Sequence, residues 1–243
     1  MARVAARARN SAAKRAGKII AAARASGQKS LSEFDSKRIL KAYGIPVTRE
    51  YFAVNLAQAR TAAKRLGFPV VLKACAADQA HKTEHGLVAV NITTGKELTE
   101  TYRRLERRAG RNFVGGGGGF VVQEMVPGER EIMIGMVRDA QFGPSVMFGL
   151  GGIFTEILRD VVFRIAPVRK RDALAMVRGI QGHRILDGIR GMKPVDLEVL
   201  TKSIMALGRI GLDFDEIAEI DVNPLIVKGT KPVAVDALVV LGD

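Results

Sequence analysis

The chain has 243 residues, 47% hydrophobic and 26% charged, with 38 Lys and Arg against 25 Asp and Glu and a formal net charge of +13. This is a globular balance with ample core, at a length for one large domain or two closely packed subdomains, and no apolar run reaches the roughly 18 residues of a membrane span. The single Cys75 cannot close an internal disulfide, so nothing points to an oxidising compartment, and with no tryptophan and few aromatics there is little to stack on nucleic-acid bases.

The charge is uneven. Residues 1–30 hold eight Lys or Arg and no acid, which leaves +5 on the other 213 residues. A transit peptide is also Arg-rich and acid-poor. The favoured reading is a solvated, partly frayed N-terminal helix, because Ala, Lys and Arg are good helix formers. The apolar positions from Ala12 to Ala25 allow an amphipathic helix that docks on the body. Concentrated in this arm, the charge gives little reason to expect a nucleic-acid partner.

Gly27 suits a C-cap for that helix. Ser32, with Asp35 three residues on, opens a second helix that stops at Gly44, ahead of Pro46. Tyr51–Val54 reads as a strand, 56–66 as an Ala-rich helix ending at Gly67, Pro69–Ala74 and Leu87–Thr93 as strands, and 96–109 as a charged, exposed helix. The run Gly115–Gly119 lies between a helix and a strand with no Lys-Ser/Thr after it. It does not match a phosphate-binding loop and reads as a flexible connector. Strands follow at Phe120–Val126, Glu131–Arg138, Ser145–Phe148, Phe154–Leu158 and Val161–Ile165. Helices follow at 170–180 and 195–210. Short turns link the middle strands without strict helix–strand alternation, which predicts an α+β fold with antiparallel sheet.

The closing segment, residues 219–240, reads as a hairpin with acids and amides where apolar side chains are usual. Glu219, Asp221 and Asn223 share one face of the strand, while Ile220 and Val222 share the other. A two-residue loop at Gly229-Thr230 pairs Lys228 with Lys231. Counting outward puts Asn223 opposite Asp236, whereas Glu219 is left farthest from Asp236 and outside the set. Hard oxygen donors on rigid backbone suit Mg²⁺ shared with a nucleotide's phosphates, and a solvent-facing hairpin side is the alternative.

Other candidates are weaker singly. Lys73 sits in the apolar run VVLKA and needs an anion or water; it is either a phosphate ligand or an outward-pointing edge lysine. The polar loop after it carries His81 and Lys82, a nucleophilic imidazole and a cation. Glu124 and Val126 end a strand where free backbone groups suit an adenine, and Glu131 nearby suits ribose hydroxyls. FGLGGIFTE lets a backbone approach a ligand or partner closely, or makes a tight turn. DVVFR puts Arg164 on a strand.

In this order, and with LSEFDSKRILKAYGIPV, QFGPSVMFGLGGIF and LDGIRGMKPVD, these segments resemble the ATP-grasp module of the ADP-forming acyl-CoA synthetases, and are similar to succinyl-CoA synthetase β. The resemblance covers residues 19–241. It implies an ATP-grasp fold of two α/β subdomains with ATP between them, divided near residue 118, after a basic arm at 1–30. It implies a cytoplasmic acid–thiol ligase that forms acyl-CoA, ADP and phosphate from acid, CoA and ATP, with ATP/ADP and Mg²⁺ as cofactors. It implies a CoA-binding α-type subunit as partner in a hetero-oligomer, with no membrane involved. By position, Lys73 would contact phosphates, Glu124 and Val126 the adenine, and Glu131 the ribose. Arg164 would steady phosphate charge, and Asn223, Asp236 and Asp221 would hold Mg²⁺. His81 would carry the phosphoryl group. A nucleotide-binding or regulatory subunit without turnover is the alternative.

Overall fold

The computed structural model describes residues 2–77, 86–110, 113, 114, 116–128, 130–152, 160–188 and 191–242, with side chains from residue 10 onward. Contacts divide the chain into two compact units. The larger holds Met1–Leu31, Asp35–Val47 and Pro127–Asp243, and the smaller holds Ser32–Phe34 and Thr48–Val126.

The larger unit is built on a six-stranded antiparallel sheet. Its strands are β5 (Glu131–Asp139), β6 (Gly143–Leu150), β7 (Val161–Ile165), β8 (Ile217–Lys228), β9 (Lys231–Ala234) and β10 (Leu238–Leu241). The order is β10-β8-β5-β6-β7, with β9 also paired to β8. The expected hairpin of β5 and β6 forms, from Ile132↔Leu150 to Asp139↔Gly143. Asp139 accepts the amides of Gln141 and Phe142, both at 2.8 Å, and so closes the turn. The strand expected at Phe154–Leu158 lies outside the described residues.

One face of this sheet is apolar. Ile132, Ile134 and Met136, Val146, Phe148 and Leu150, and Ile220 and Val222 form a core with residues of four helices. These are α1 (Ala2–Ala25), α2 (Glu33–Ala42, whose first two residues fall in the smaller unit), α5 (Lys170–Gly179) and α6 (Leu197–Asp213). Helix α1 is longer than the apolar pattern suggested, and Ala16, Ile20 and Ala23 seat its second half in the core. It ends where the Gln28 amide reaches back to Ala23 O (3.1 Å) and Gly27 turns with φ +68°, the left-handed closure glycine permits.

Two buried or half-buried arginines act as internal clamps that no motif announced. Arg130 is 4% exposed and donates to the carbonyls of Ile185, Asp187, Lys193 and Gly229, tying the LDGIRGMKPVD segment to the β8–β9 turn. Arg138 donates to the carbonyls of Gly211, Phe214 and Ile217 at the end of α6. Each guanidinium satisfies carbonyls that a helix end or loop leaves without partners.

The smaller unit has a four-stranded antiparallel sheet in the order β1-β4-β2-β3. These strands are β1 (Glu50–Ala53), β2 (Val70–Cys75), β3 (Val88–Ile92) and β4 (Gly119–Glu124). Helices α3 (Leu56–Leu66) and α4 (Gly95–Ala109) complete it. Asn55 and Thr94 cap them by accepting the amides of Gln58 and Glu97. Contrary to the expectation of an exposed helix, α4 buries Leu98, Tyr102 and Leu105, which join Leu72, Phe120 and Val122 in the core. Its charges lie on the opposite face, as the 3.6-residue period allows.

The glycine run is not simply a flexible connector. Among its described residues, the Gly118 amide donates to Phe113 O at 2.9 Å and Gly119 begins β4. A Cβ on Gly118 would stand 2.7 Å from both Phe113 O and the Phe113 ring. Gly118→Ala should therefore destabilise the chain by about 1–3 kcal/mol in chemical denaturation. Gly95→Ala, with nothing within 4 Å of the added Cβ, should leave the midpoint nearly unchanged.

Candidate functional site

The second face of the six-stranded sheet is the polar one. Alternation puts Glu219, Asp221 and Asn223 opposite to buried Ile220 and Val222 on β8. Through the register Gly135↔Asp221 and Val137↔Glu219, the same face carries Glu131, Met133, Gly135 and Val137 of β5.

The end of the chain departs from the expected hairpin in one respect. Pairing runs from Lys228↔Lys231 to Leu225↔Ala234, as the two-residue loop predicts. It then stops, and resumes at Asp221↔Leu238 in β10. The count is the same on both sides, so Asn223 and Asp236 fall opposite one another inside the interruption and are not ladder partners. Pro224 has no amide to continue the ladder. Its carbonyl instead accepts the Val235 amide at 3.1 Å, and Asp236 Oδ1 accepts the following amide, of Ala237, at 2.8 Å.

These acids act on one another. The Asp221 carboxyl is pushed up to about 6, first by burial, then by the charges of Glu219 and Asp236, against a lowering hydrogen bond from the Val222 amide. Glu219, excluded by the hairpin count, is thus the stronger of the two electrostatic neighbours. Among the described residues no three His, Cys, Asp or Glu side chains could hold a metal by themselves. Hard oxygens in excess negative charge, too few for an all-protein cage, fit a Mg²⁺ ion that takes its remaining ligands from water and phosphates.

Lys73 is not an edge lysine. Strand β2 lies between β4 and β3, with Lys73 opposite Val121 and Val88. It shares its face with Val71, away from the core built on Val70, Leu72 and Ala74. It is 6% exposed, and its Nζ donates to Glu33 Oε1 at 2.8 Å, with the Glu33 side chain fully buried. A buried ammonium needs such a partner. That an anion had to exist could be read from VVLKA; that it is Glu33 could not, because 40 residues separate the two.

The strand-end candidates are also in the smaller unit. Glu124 is held by Arg49 through the main-chain amide to Oε1 (2.9 Å) and through Nε and Nη2 to Oε2 (both 3.1 Å). Its carboxylate is therefore spoken for, and what it can offer a base is main chain. The Met125 amide donates to Pro69 O at 3.3 Å, and Val126 is buried. In the larger unit, Glu131 lies against the FGLGG segment. The Gly151 amide donates to Glu131 O at 2.9 Å, and Gly152, at φ +66°, would bring a Cβ within 2.9 Å of the Glu131 carboxylate. Arg164 is opposite Val146, which is opposite Met136, which is opposite Ile220, so it belongs to the helix-covered side of the sheet and not to the side of Asp221. It is exposed at the β7 edge, and among the described residues its guanidinium reaches Phe163 O at 3.4 Å. His81 and Lys82 lie outside the described residues.

The raised Asp221 carboxyl makes a pH prediction. Between about pH 4 and pH 6 the folded chain keeps a proton that the unfolded chain has released, so stability falls as pH rises through that window. Asp221→Asn should flatten this slope and stabilise the chain at pH 7 by roughly 1–3 kcal/mol, measured by denaturant melts across pH.

Comparison with known proteins identifies the family. Residues 22–241 match the family model described as an ATP-grasp domain. The chain is 44% identical over 213 residues to the acetate–CoA ligase (ADP-forming) I subunit beta of Pyrococcus furiosus, covering 87% of this chain and 91% of that one. It superimposes with a TM-score of 0.86 on the dinucleotide-forming acetyl-coenzyme A synthetase 1 of Ca. Korarchaeum cryptofilum bound to coenzyme A and Ca-AMPCP, at 40% identity over 93% of this chain and 99% of that one. A second structure of that synthetase, with coenzyme A and Mg-AMPPCP and its phosphohistidine segment pointing towards the nucleotide-binding site, gives a TM-score of 0.80 at 39% identity, over 93% of this chain and 100% of that one. An acidic sheet face suited to magnesium, a buried strand lysine and near end-to-end similarity lead to one conclusion: the chain belongs to the ATP-grasp family, among the β subunits of ADP-forming acyl-CoA ligases.

Proposed function

We propose that this chain is the nucleotide-binding, phosphoryl-transferring subunit of an ADP-forming acyl-CoA synthetase, active with a separate CoA-binding α-type subunit in the cytoplasm. The observation that carries the reading is the nearness of Glu219 and Asp236 to the buried Asp221, whose carboxyl their charges help to push up, in a chain that spans 91% of an acetate–CoA ligase β subunit.

Asp221, Asn223 and Asp236 would hold Mg²⁺, which when bound neutralises phosphate charge. Lys73 adds a fixed cation for the phosphates. Main-chain groups at Glu124 and Val126 meet the adenine, and Glu131 accepts the ribose hydroxyls. Arg164, on the opposite side of its sheet, takes no part in the metal site.

His81 is the nucleophile. In the direction of acyl-CoA synthesis its imidazole nitrogen attacks the γ-phosphorus of ATP, the bond to the β–γ bridging oxygen breaks, and ADP leaves. The phosphoryl group then passes to the α-type partner, where it activates the acid as an acyl phosphate; the CoA thiol attacks the acyl carbon and inorganic phosphate leaves. A covalent phosphohistidine divides one long transfer into two short ones. A second reading, nucleotide binding without turnover, is favoured by the run EHGLV at 84–88, which replaces the family's acid, small residue and two glycines after His81-Lys82-Thr83.

Incubation with Mg²⁺ and γ-labelled ATP should leave acid-labile, base-stable label that is lost in His81→Asn and in EDTA. Lys73→Met should weaken nucleotide binding by about tenfold or more, as loss of a charged hydrogen bond to phosphate does. Nucleotide binding with no label, with or without a CoA-binding partner, would establish the second reading instead.

A further inference from the structure

Helix α2 carries two fully buried polar side chains that the roles above leave unused. Ser36 is 0% and Lys37 1% exposed. Burying a lysine end is expensive where a methionine would fill the same space, so its polar contacts call for a reason. The Lys37 Nζ donates to Val235 O at 3.2 Å, and Ser36 Oγ accepts the Val239 amide at 3.1 Å. The Lys37 contact falls on the stretch 235–237 that joins β9 to β10, where Asp236 lies, and the Ser36 contact falls on β10 just beyond it.

The connection is local and mechanical. Residues 235–237 lie between β9 and β10, where the regular ladder with β8 is interrupted. The Val235 carbonyl and the Asp236 amide belong to one peptide plane, because the peptide bond is rigid. Holding that carbonyl therefore sets the plane from which the Asp236 side chain departs. On the far side, Ser36 holds the first residues of β10, and on the near side the Pro224 carbonyl holds the Val235 amide. The main chain on either side of Asp236 is held by these contacts, and Asp236 Oδ1 itself accepts the Ala237 amide.

We propose that Lys37 and Ser36 are positioning residues for Asp236, fixing its carboxylate for the divalent cation that accompanies the nucleotide; the inference rests on the metal reading given above. Neither residue touches the cation. They act on the main chain beside one of its ligands, as groups behind metal ligands commonly do.

The test is a Mg²⁺ titration of fluorescent ADP binding to the purified chain, with EDTA defining the Mg²⁺-free baseline. Lys37→Met should raise the Mg²⁺ concentration at half-saturation by about tenfold or more while leaving Mg²⁺-free binding near wild type. Met176→Ala, a core truncation in the same unit, should lower the melting temperature with no such shift. Lys37→Met titrating as wild type, or a matching shift in Met176→Ala, overturns the inference. If Lys37→Met yields no folded protein, Ser36→Ala decides: a shift of a few-fold supports the inference, and none overturns it. Asp236→Ala separates the two claims. If Asp236→Ala shifts strongly and Lys37→Met does not, only the positioning role fails. If Asp236→Ala titrates as wild type, or wild-type binding ignores Mg²⁺, the metal reading fails and the inference with it.

Discussion

Carboxylates held close together on a rigid sheet face repel one another, and the larger unit is organised to bear that repulsion. Strand β8 keeps Glu219 and Asp221 on one face because Ile220 and Val222 are locked into the core on the other. A single-residue slip would exchange the two sets, so the hydrophobic pattern that fixes the fold also fixes the acids. The helices behind the sheet supply the apolar burial that offsets the electrostatic strain in front. Without a cation this arrangement lowers stability; in the proposed metal-bound state Asp221 and Asp236 would become ligands. Functional sites commonly trade stability in this way.

The smaller unit solves a related problem with opposite signs inside a single pair. Lys73 could not remain in an interior strand without an anion, and the fully buried Glu33 supplies it at 2.8 Å. Removing either partner alone would break a buried ion pair, which typically costs about 3–5 kcal/mol. The pair fixes the position of the lysine end, which would limit the entropy lost in the proposed binding of phosphate. Arg49 does the same for Glu124, taking up the carboxylate and leaving only main chain at the strand end.

Much of this was legible in the residues because period and punctuation are local. Gly27, Gly44 and Gly67 mark helix ends, and Gly229-Thr230 sets the register of the last hairpin correctly. The pairing of Asn223 with Asp236 followed by counting, and the count holds even though the ladder breaks between them. Less legible were features that depend on distant partners. Nothing in VVLKA names Glu33, nothing around Arg130 names the carbonyls it gathers, and the buried face of α4 was hidden beneath a dense run of charges. The acidic strand drew attention to its alternation, but the influence of Glu219 on Asp221 depends on burial, which only the fold reveals. The side of Arg164 likewise required the register of three strand pairs.

The central claim is that the acidic face is gathered for a cation bound with a nucleotide. Titration of the Asp221 carboxyl by carbon-detected NMR tests it most directly. In the free chain it should titrate at about 6. With saturating Mg²⁺ and ADP it should fall well below the free-chain value, because a bound cation favours the ionised form. A midpoint unchanged by Mg²⁺ and ADP, or lowered equally by ADP in EDTA, would contradict the account.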